Sequence, residues 1–267
     1  MTWLHVARAD TPLILAMPHC GLDLPRGVFR SSWWAQRDAD WHIADLYAGL
    51  AQATTVSTTV SRSVIDVNRD PSGASLYPGQ ATTELCPTTT FDGDRLYGDG
   101  ETTDEGEIEA RRARWFEPYH AALTAEIDRL RAIHPHVIVY DCHSIRSHVP
   151  RLFEGRLPEL NIGTNGGTSC APQLRDAIAA IAARSGRSHV VDGRFRGGWT
   201  TRHYGRPERG VHAVQMELAM RAYLDEPIPT VTPENWPAPY IADRTTRLRE
   251  TLAEILTACI DFAKGRS

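Results

Sequence analysis

The sequence predicts an α/β fold: a single domain over residues 1–267, in three layers, with helices on both faces of a mostly parallel or mixed central sheet. Three observations predict it. The apolar runs at 13–17 and 137–140 are continuous and of strand length, as strands buried on both faces are. Stretches with apolar residues at helical spacing alternate with them. Polar clusters rich in His and Asp follow the apolar runs directly, where the carboxyl ends of strands in an open sheet face a ligand crevice.

The elements follow in order. After the strand at 13–17, residues 41–53 carry Ile43, Leu46, Tyr47 and Leu50 at helical spacing. Residues 54–61 are β-branched and read as a strand. Residues 70–102 are rich in Gly, Pro, Thr and Asp, which predicts a long functional loop rather than a linker. Thr102 with Glu105 has the spacing of a capping box. It is expected to open a long helix with Ile108, Trp115, Tyr119, Leu123, Ile127 and Leu130 on one face, kinked at Pro118. The strand at 137–140 comes next. Residues 161–167 read as a Gly-rich turn, 172–184 as an Ala-rich helix, 189–191 as a short strand, 211–218 as a further strand and 243–263 as a final helix. Such alternation implies βαβ units.

Composition narrows the function. Hydrophobic residues make up 42% and charged residues 23%, ordinary for a globular chain of this length. The net charge of −4 gives no global basic field, so neither a nucleic-acid nor a membrane-surface partner is expected. No run approaches the ~18 apolar residues of a membrane span. The N-terminus lacks a basic region followed by a long apolar core, so no signal peptide is expected. The five cysteines (20, 86, 142, 170 and 259) are scattered, without a CxxC pair. They read as reduced thiols of a cytoplasmic protein. GxGxxG, GxxxxGK[ST], GxSxG and HExxH patterns are all missing.

Two histidines stand at predicted strand ends. His19 lies in Pro18-His19-Cys20-Gly21 and His143 in Asp141-Cys142-His143-Ser144. Each alone is as well explained by a turn histidine bonded to backbone. Together they point to a catalytic metal, which usually takes three His or carboxylate ligands and keeps one position open. Asp23, Asp38 and Asp40 are candidates for the third ligand. Asp40 also stands where a helix N-cap is expected. Asp141 is a candidate for orienting an imidazole through its second nitrogen. Glu217 interrupts the apolar stretch 213–220, where an unpaired carboxylate is costly. It either pairs structurally or faces a polar site as a general base. Arg62 and Arg69 bracket one segment, and Arg194, Arg196 and Arg202 cluster in another. The guanidinium fork suits carboxylates, although surface ion pairing is the commoner use.

The motifs carry a family resemblance. Pro18-His19-Cys20-Gly21, Asp38-Ala39-Asp40-Trp41-His42, the run from Ser61 through Asn68-Arg69 to Pro71, Asp141-Cys142-His143-Ser144-Ile145, Asn161-Ile162-Gly163 and the run from Arg196 to Gly205 resemble, in order, the N-formylglutamate amidohydrolases of bacterial histidine degradation. That family is similar to zinc carboxypeptidases and to succinylglutamate and acetylaspartate deacylases. The resemblance implies a zinc-carboxypeptidase-like (phosphorylase/hydrolase-like) fold. It implies zinc, or another divalent metal, on His19, Asp40 and His143, with Glu217 as base. Asn68-Arg69 is similar to the pair that holds the substrate α-carboxylate, and Arg196 or Arg202 is expected on the second carboxylate. The implied reaction converts N-formyl-L-glutamate to L-glutamate and formate, the last step of a histidine degradation pathway. Two departures stand out. Cys20 replaces a small hydroxyl residue, and Leu22 occupies the position of the relatives' second ligand. The rival expectations are an amidohydrolase acting on formylaspartate or an acetylated amino acid, and an inactive protein that binds metal and carboxylate.

Overall fold

Strand pairing sets the architecture. The computed structural model describes residues 2–227 and 230–266. Its elements are β1 (Leu4–Ala7), β2 (Leu13–Met17), α1 (Ser32–Arg37), α2 (Ile43–Tyr47), β3 (Thr54–Thr58), α3 (Glu105–Arg111), α4 (Glu117–Arg131), β4 (Val137–Ile145), β5 (Leu160–Gly163), α5 (Pro172–Arg184), β6 (His189–Val191), α6 (Trp199–Tyr204), β7 (Val211–Ala219) and α7 (Ala242–Ala263). The strands form one seven-stranded sheet in the order β1-β3-β2-β4-β7-β5-β6. β3, β2, β4 and β7 run parallel, β1 pairs antiparallel with β3, and β5 pairs antiparallel with β7 but parallel with β6. The sheet is therefore mixed around a parallel centre.

Each central strand is buried on both faces. Leu13, Leu15, Ile138, Tyr140, Val214 and Met216 pack against α2, α5 and α7. Ile14, Ala16, Val137, Val139 and Ala213 pack against α4. Alternation along a strand sends successive side chains to opposite faces. The result is the helix–sheet–helix sandwich that the sequence implies.

Several boundaries differ from the sequence expectation, each for a physical reason. β4 does not stop at Tyr140. It pairs with β7 at every position from Val137↔Val211 to Ile145↔Ala219, so the polar tetrapeptide lies inside the strand, not beyond it. The helix expected over 41–53 is only Ile43–Tyr47. Gly49, at φ +72°, turns the chain out of it. Asp104, not Thr102, caps α3 by accepting from the Glu107 N–H. Between α3 and α4 the chain forms one π-turn, Arg112–Phe116, in which Glu117 N–H reaches back to the Arg112 carbonyl. Pro118 lacks an N–H and sits in the first turn of α4, so the irregularity falls beside it. Residues 161–163, read as turn, belong to β5, which is four residues long and ends in Gly. The 70–102 stretch contains no helix or named strand and lies against the open end of the sheet. No described helix is long and apolar enough to cross a membrane.

Candidate metal and catalytic site

The site is built on the carboxyl ends of the parallel strands. His19 lies two residues past β2. The turn that carries it is held by Asp40 N–H donating to the His19 carbonyl at 2.9 Å. Two residues later the backbone crosses β3's extension so closely that a Cβ on Gly21 would sit 2.3 Å from the Val60 carbonyl oxygen. Only glycine fits there. His143 comes from β4. Because it shares parity with Val137 and Val139, it faces the α4 side of the sheet together with Asp141, and Cys142 points to the opposite core. Asp40 comes from the turn between α1 and α2.

These three side chains converge. His143 Nδ1 lies 3.1 Å from Asp40 Oδ2, and His19 Nδ1 lies 3.6 Å from the same oxygen. The imidazole centroids are 4.8 Å apart. One ligand atom from each residue falls within 4.8 Å of the other two, with all three residues buried. Ligands of a tetrahedral ion at about 2.0–2.2 Å are themselves roughly 3.3–3.5 Å apart. The spacing fits one divalent cation. His19 Nδ1 and Asp40 Oδ1 are buried without hydrogen-bond partners, which is costly for polar atoms unless something else engages them.

Both imidazoles are oriented from behind. His19 Nε2 donates to Asp66 Oδ1 at 2.7 Å, and His143 Nε2 lies 3.0 Å from Asp141 Oδ2 and 2.9 Å from Asn68 Nδ2. Each ring thus presents Nδ1 to the centre with a carboxylate behind its Nε2, an arrangement that orients the imidazole. Asp66 is tied further by the Arg62 Nη2 at 2.7 Å and by the Asn68 N–H at 2.9 Å. Asn68 Nδ2 donates to Asp141 at 3.1 Å, and its Oδ1 accepts from Thr200 N–H at 2.8 Å. Burial alone would raise the Asp66 carboxyl; Arg69, His19 and Arg62 hold it well below the carboxylate range. Burial would likewise raise Asp40, but the His143 hydrogen bond and the adjacent His19 imidazole pull it below its ordinary value. Burial disfavours the His143 cation, yet Asp141 and Asp40 hold its pKa well above the histidine range. Carboxylates in this state are ionised and ready to balance a cation.

Glu217 stands next to this cluster. Its backbone is the register partner of His143 across β4 and β7, so the two side chains share a face. Gln215 Nε2 donates to its Oε2 at 2.9 Å. Burial pushes the carboxyl up to about 7, with His143 opposing the rise. A carboxyl poised there can take and return a proton near neutral pH. The cleft in front is lined by His19, Arg62, Asn68, Arg69, His143 and Glu217 at its floor, and by Tyr77, Phe91, Leu152, Arg194 and Phe195 at its walls.

The other sequence candidates are placed as follows. Asp23 is exposed and accepts from Thr59 Oγ1. Asp38 accepts from Phe91 N–H at 2.6 Å and lies beside Arg37 and Arg146, so its work is structural. Asp40 does not cap α2; the N-cap is His42, with no side-chain bond. Cys20 packs against the α2–α5–α7 core, where burial and the nearby Asp40 charge push its thiol pKa up. Leu22 gives only its carbonyl, to Gln36. Arg69 lines the cleft with its Nε and Nη2 on the Thr83 carbonyl and hydroxyl, at 3.1 and 3.0 Å. Arg196 is exposed and offers its main-chain N–H to Tyr77, while Arg202 donates to the Gly197 carbonyl; neither lines the cleft. Arg194 does. Sequence reasoning passed over Asp66, Gln215 and Tyr77. Asp66 carried a usable signal, a carboxylate between two arginines. Gln215 and Tyr77 carried none.

The chain also resembles known proteins. A family model described as N-formylglutamate amidohydrolase matches residues 11–224. An N-formylglutamate deformylase of Pseudomonas aeruginosa PAO1 is 42% identical, across 98% of this chain and 98% of its own length. One from Pseudomonas putida is 43% identical, across 82% of this chain and 84% of its own. The solved structure of an N-formylglutamate amidohydrolase from Ralstonia eutropha JMP134 superposes with a TM-score of 0.78 at 19% identity and full coverage of both chains, a likeness of fold.

Proposed function

The chain belongs to the N-formylglutamate amidohydrolase family, and from that premise we propose that it hydrolyses N-formyl-L-glutamate to L-glutamate and formate through a divalent cation, zinc by donor type, held by His19, Asp40 and His143. The observation that carries the reading is a single arrangement: three converging buried ligands with Glu217 in register beside them. The chemistry such an ion supplies is Lewis acidity, which polarises an acyl oxygen and brings a water's pKa toward neutrality.

The protein's own groups do the rest. Glu217 takes a proton from the attacking water as oxygen bonds to the formyl carbon. It then delivers that proton to the amide nitrogen as the C–N bond breaks, so water is consumed and formate and the free amine leave. Arg62 is buried at the cleft floor, 4.8 Å from the Phe91 ring centroid, where a fixed positive charge faces the oxyanion as it develops. Asn68 and Arg69 hold the α-carboxylate and align the amide over Glu217. The same reading assigns the protein to the closing step of histidine breakdown in the cytoplasm.

Metal analysis of the purified protein beside a formate-release assay tests the reading. One equivalent of zinc and a kcat/KM for N-formyl-L-glutamate at least about tenfold above those for N-acetyl-L-glutamate and N-formyl-L-aspartate are expected, specificity being a ratio of these constants. Tight metal and glutarate binding without formate release would leave only the inactive carboxylate-binding protein.

A further inference from the structure

The cleft holds an arginine that this chemistry does not use. Arg194 follows β6, and its guanidinium lies 5.3 Å from the Tyr77 ring centroid and 5.2 Å from that of Phe195. Its Nε donates to the Leu152 carbonyl at 2.9 Å and its Nη2 to the Ala81 carbonyl at 2.8 Å. Both partners are neutral. Among the described residues no carboxylate pairs with Arg194, and its Nη1 has no hydrogen-bond partner. The contrast with its neighbours is sharp. Arg62 sits on Asp66 at 2.7 Å, and Arg69 lies 3.7 Å from the same carboxylate.

A half-buried guanidinium with no carboxylate in contact is an unfavourable arrangement in the free protein, and an incoming anion relieves it. Burial lowers the Arg194 pKa and Arg69 adds to that, with Tyr77 and Glu217 opposing the fall only in part. The geometry is also rigid. Two carbonyls and two rings fix the guanidinium plane, which leaves one edge for recognition. Tyr77 is itself fixed: its hydroxyl donates to the Gly197 carbonyl at 2.9 Å and accepts from Arg196 N–H at 3.1 Å. The 70–102 loop and the loop after β6 thus lock together into one wall, with Arg194 facing the cleft from it. Asn68 lies at the metal-proximal end of the cleft, since it touches His143 and Asp141, and Arg69 follows it in the chain.

Resting on the hydrolase reading above, we propose that Arg194 is the specificity-determining residue, taking the side-chain carboxylate of the N-acyl amino acid through Nη1 so that the cleft selects dicarboxylates. Arg69 with Asn68 serves the α-carboxylate, and Arg194 the second. A site built to receive a charged acceptor rejects the neutral isostere strongly, because the donor is then left unpaired.

The test compares N-formyl-L-glutamate with N-formyl-L-glutamine in wild type, Arg194→Met and Arg194→Lys, each checked for metal content and Tm. Arg194→Met should lose roughly 10²–10³-fold in kcat/KM on the glutamate substrate, mostly through KM, with the glutamine substrate changed by less than about threefold. Arg194→Lys should recover about tenfold, because the charge returns without the planar fork. Equal losses on both substrates, or none, would overturn the assignment. Calorimetric binding of glutarate against butyrate gives a readout that needs no turnover. Wild type should prefer glutarate, and Arg194→Met should lose that preference; a wild type that binds both equally also overturns it. If glutarate selectivity depends on Arg194 but no formate appears, the carboxylate site stands and the hydrolase reading falls.

Discussion

Glu217 and His143 are paired across β7 and β4 in the same parallel register and on the same face, so sheet geometry alone sets a carboxyl beside an imidazole at the cleft floor. A one-residue slip in that register would turn Glu217 into the opposite core. Nine consecutive paired positions, from Val137↔Val211 to Ile145↔Ala219, resist such a slip.

The first expected outcome follows from that pairing. Glu217→Gln keeps the shape and the neighbour Gln215 but removes the basic oxygen. We expect kcat to fall by roughly 10²–10⁴-fold, the usual scale for a general acid–base group, with metal content unchanged. Steady-state formate release and elemental analysis on the same preparation check it. Near-normal turnover would remove Glu217 from the mechanism.

Asp66 supports the second. It holds the His19 Nε2–H at 2.7 Å and thereby leaves Nδ1 for the cation. Asp66→Asn removes the charge and weakens the orientation of the ring. Metal affinity should drop by about 10–100-fold, the scale for carboxylates behind a ligating imidazole. Competition with a chromogenic chelator measures it without reference to activity. His143→Ala, by contrast, should abolish stoichiometric metal, and retention of metal there would exclude His143 as a ligand.

Gly198 gives the third. A Cβ there would sit 2.4 Å from Asn68 Nδ2 and 2.6 Å from its Oδ1. Asn68 cannot swing aside cheaply, since it bonds Asp141 and the Thr200 N–H. Gly198→Ala should therefore displace the amide, lower Tm and raise KM for the formylated substrate more than it lowers kcat. An alanine variant with wild-type KM would show that Asn68 does not position the α-carboxylate.

The contrast between what the sequence revealed and what it hid has a physical basis. β2, α5, β6 and α7 were legible within a residue or so because each is either a continuous apolar run or a strongly periodic stretch bounded by clear signals. The convergence of His19, Asp40 and His143 was readable as motif, while its geometry depends on β2 and β4 being sheet neighbours, which no local pattern encodes. β5 was missed because four residues ending in Gly look like turn, and only pairing with β7 makes them a strand. Arg194 was visible as one of a cluster. What separates it from Arg196 and Arg202 is that it lines the cleft and they do not, a placement set by the fold of the loop after β6.

The last expected outcome concerns stability. His120 is buried between Tyr204 and the Val67 carbonyl, its Nε2 donating to that carbonyl at 2.8 Å and its Nδ1 accepting from the Tyr204 hydroxyl at 2.9 Å. Burial lowers its pKa to about 4 despite the Val67 bond. In the unfolded chain the same group titrates near 6.5. Between those values the unfolded state binds the extra proton, so the contribution is complete above pH 6.5 and is lost as pH falls toward 4. The span corresponds to roughly 3 kcal/mol. Urea unfolding at pH 7.5 and 4.5 measures it. His120→Gln should be less stable than wild type at pH 7.5, because it spoils two bonds, yet should lose about 2–3 kcal/mol less on acidification. Parallel pH curves for the two proteins would mean that His120 titrates alike in the native and unfolded states.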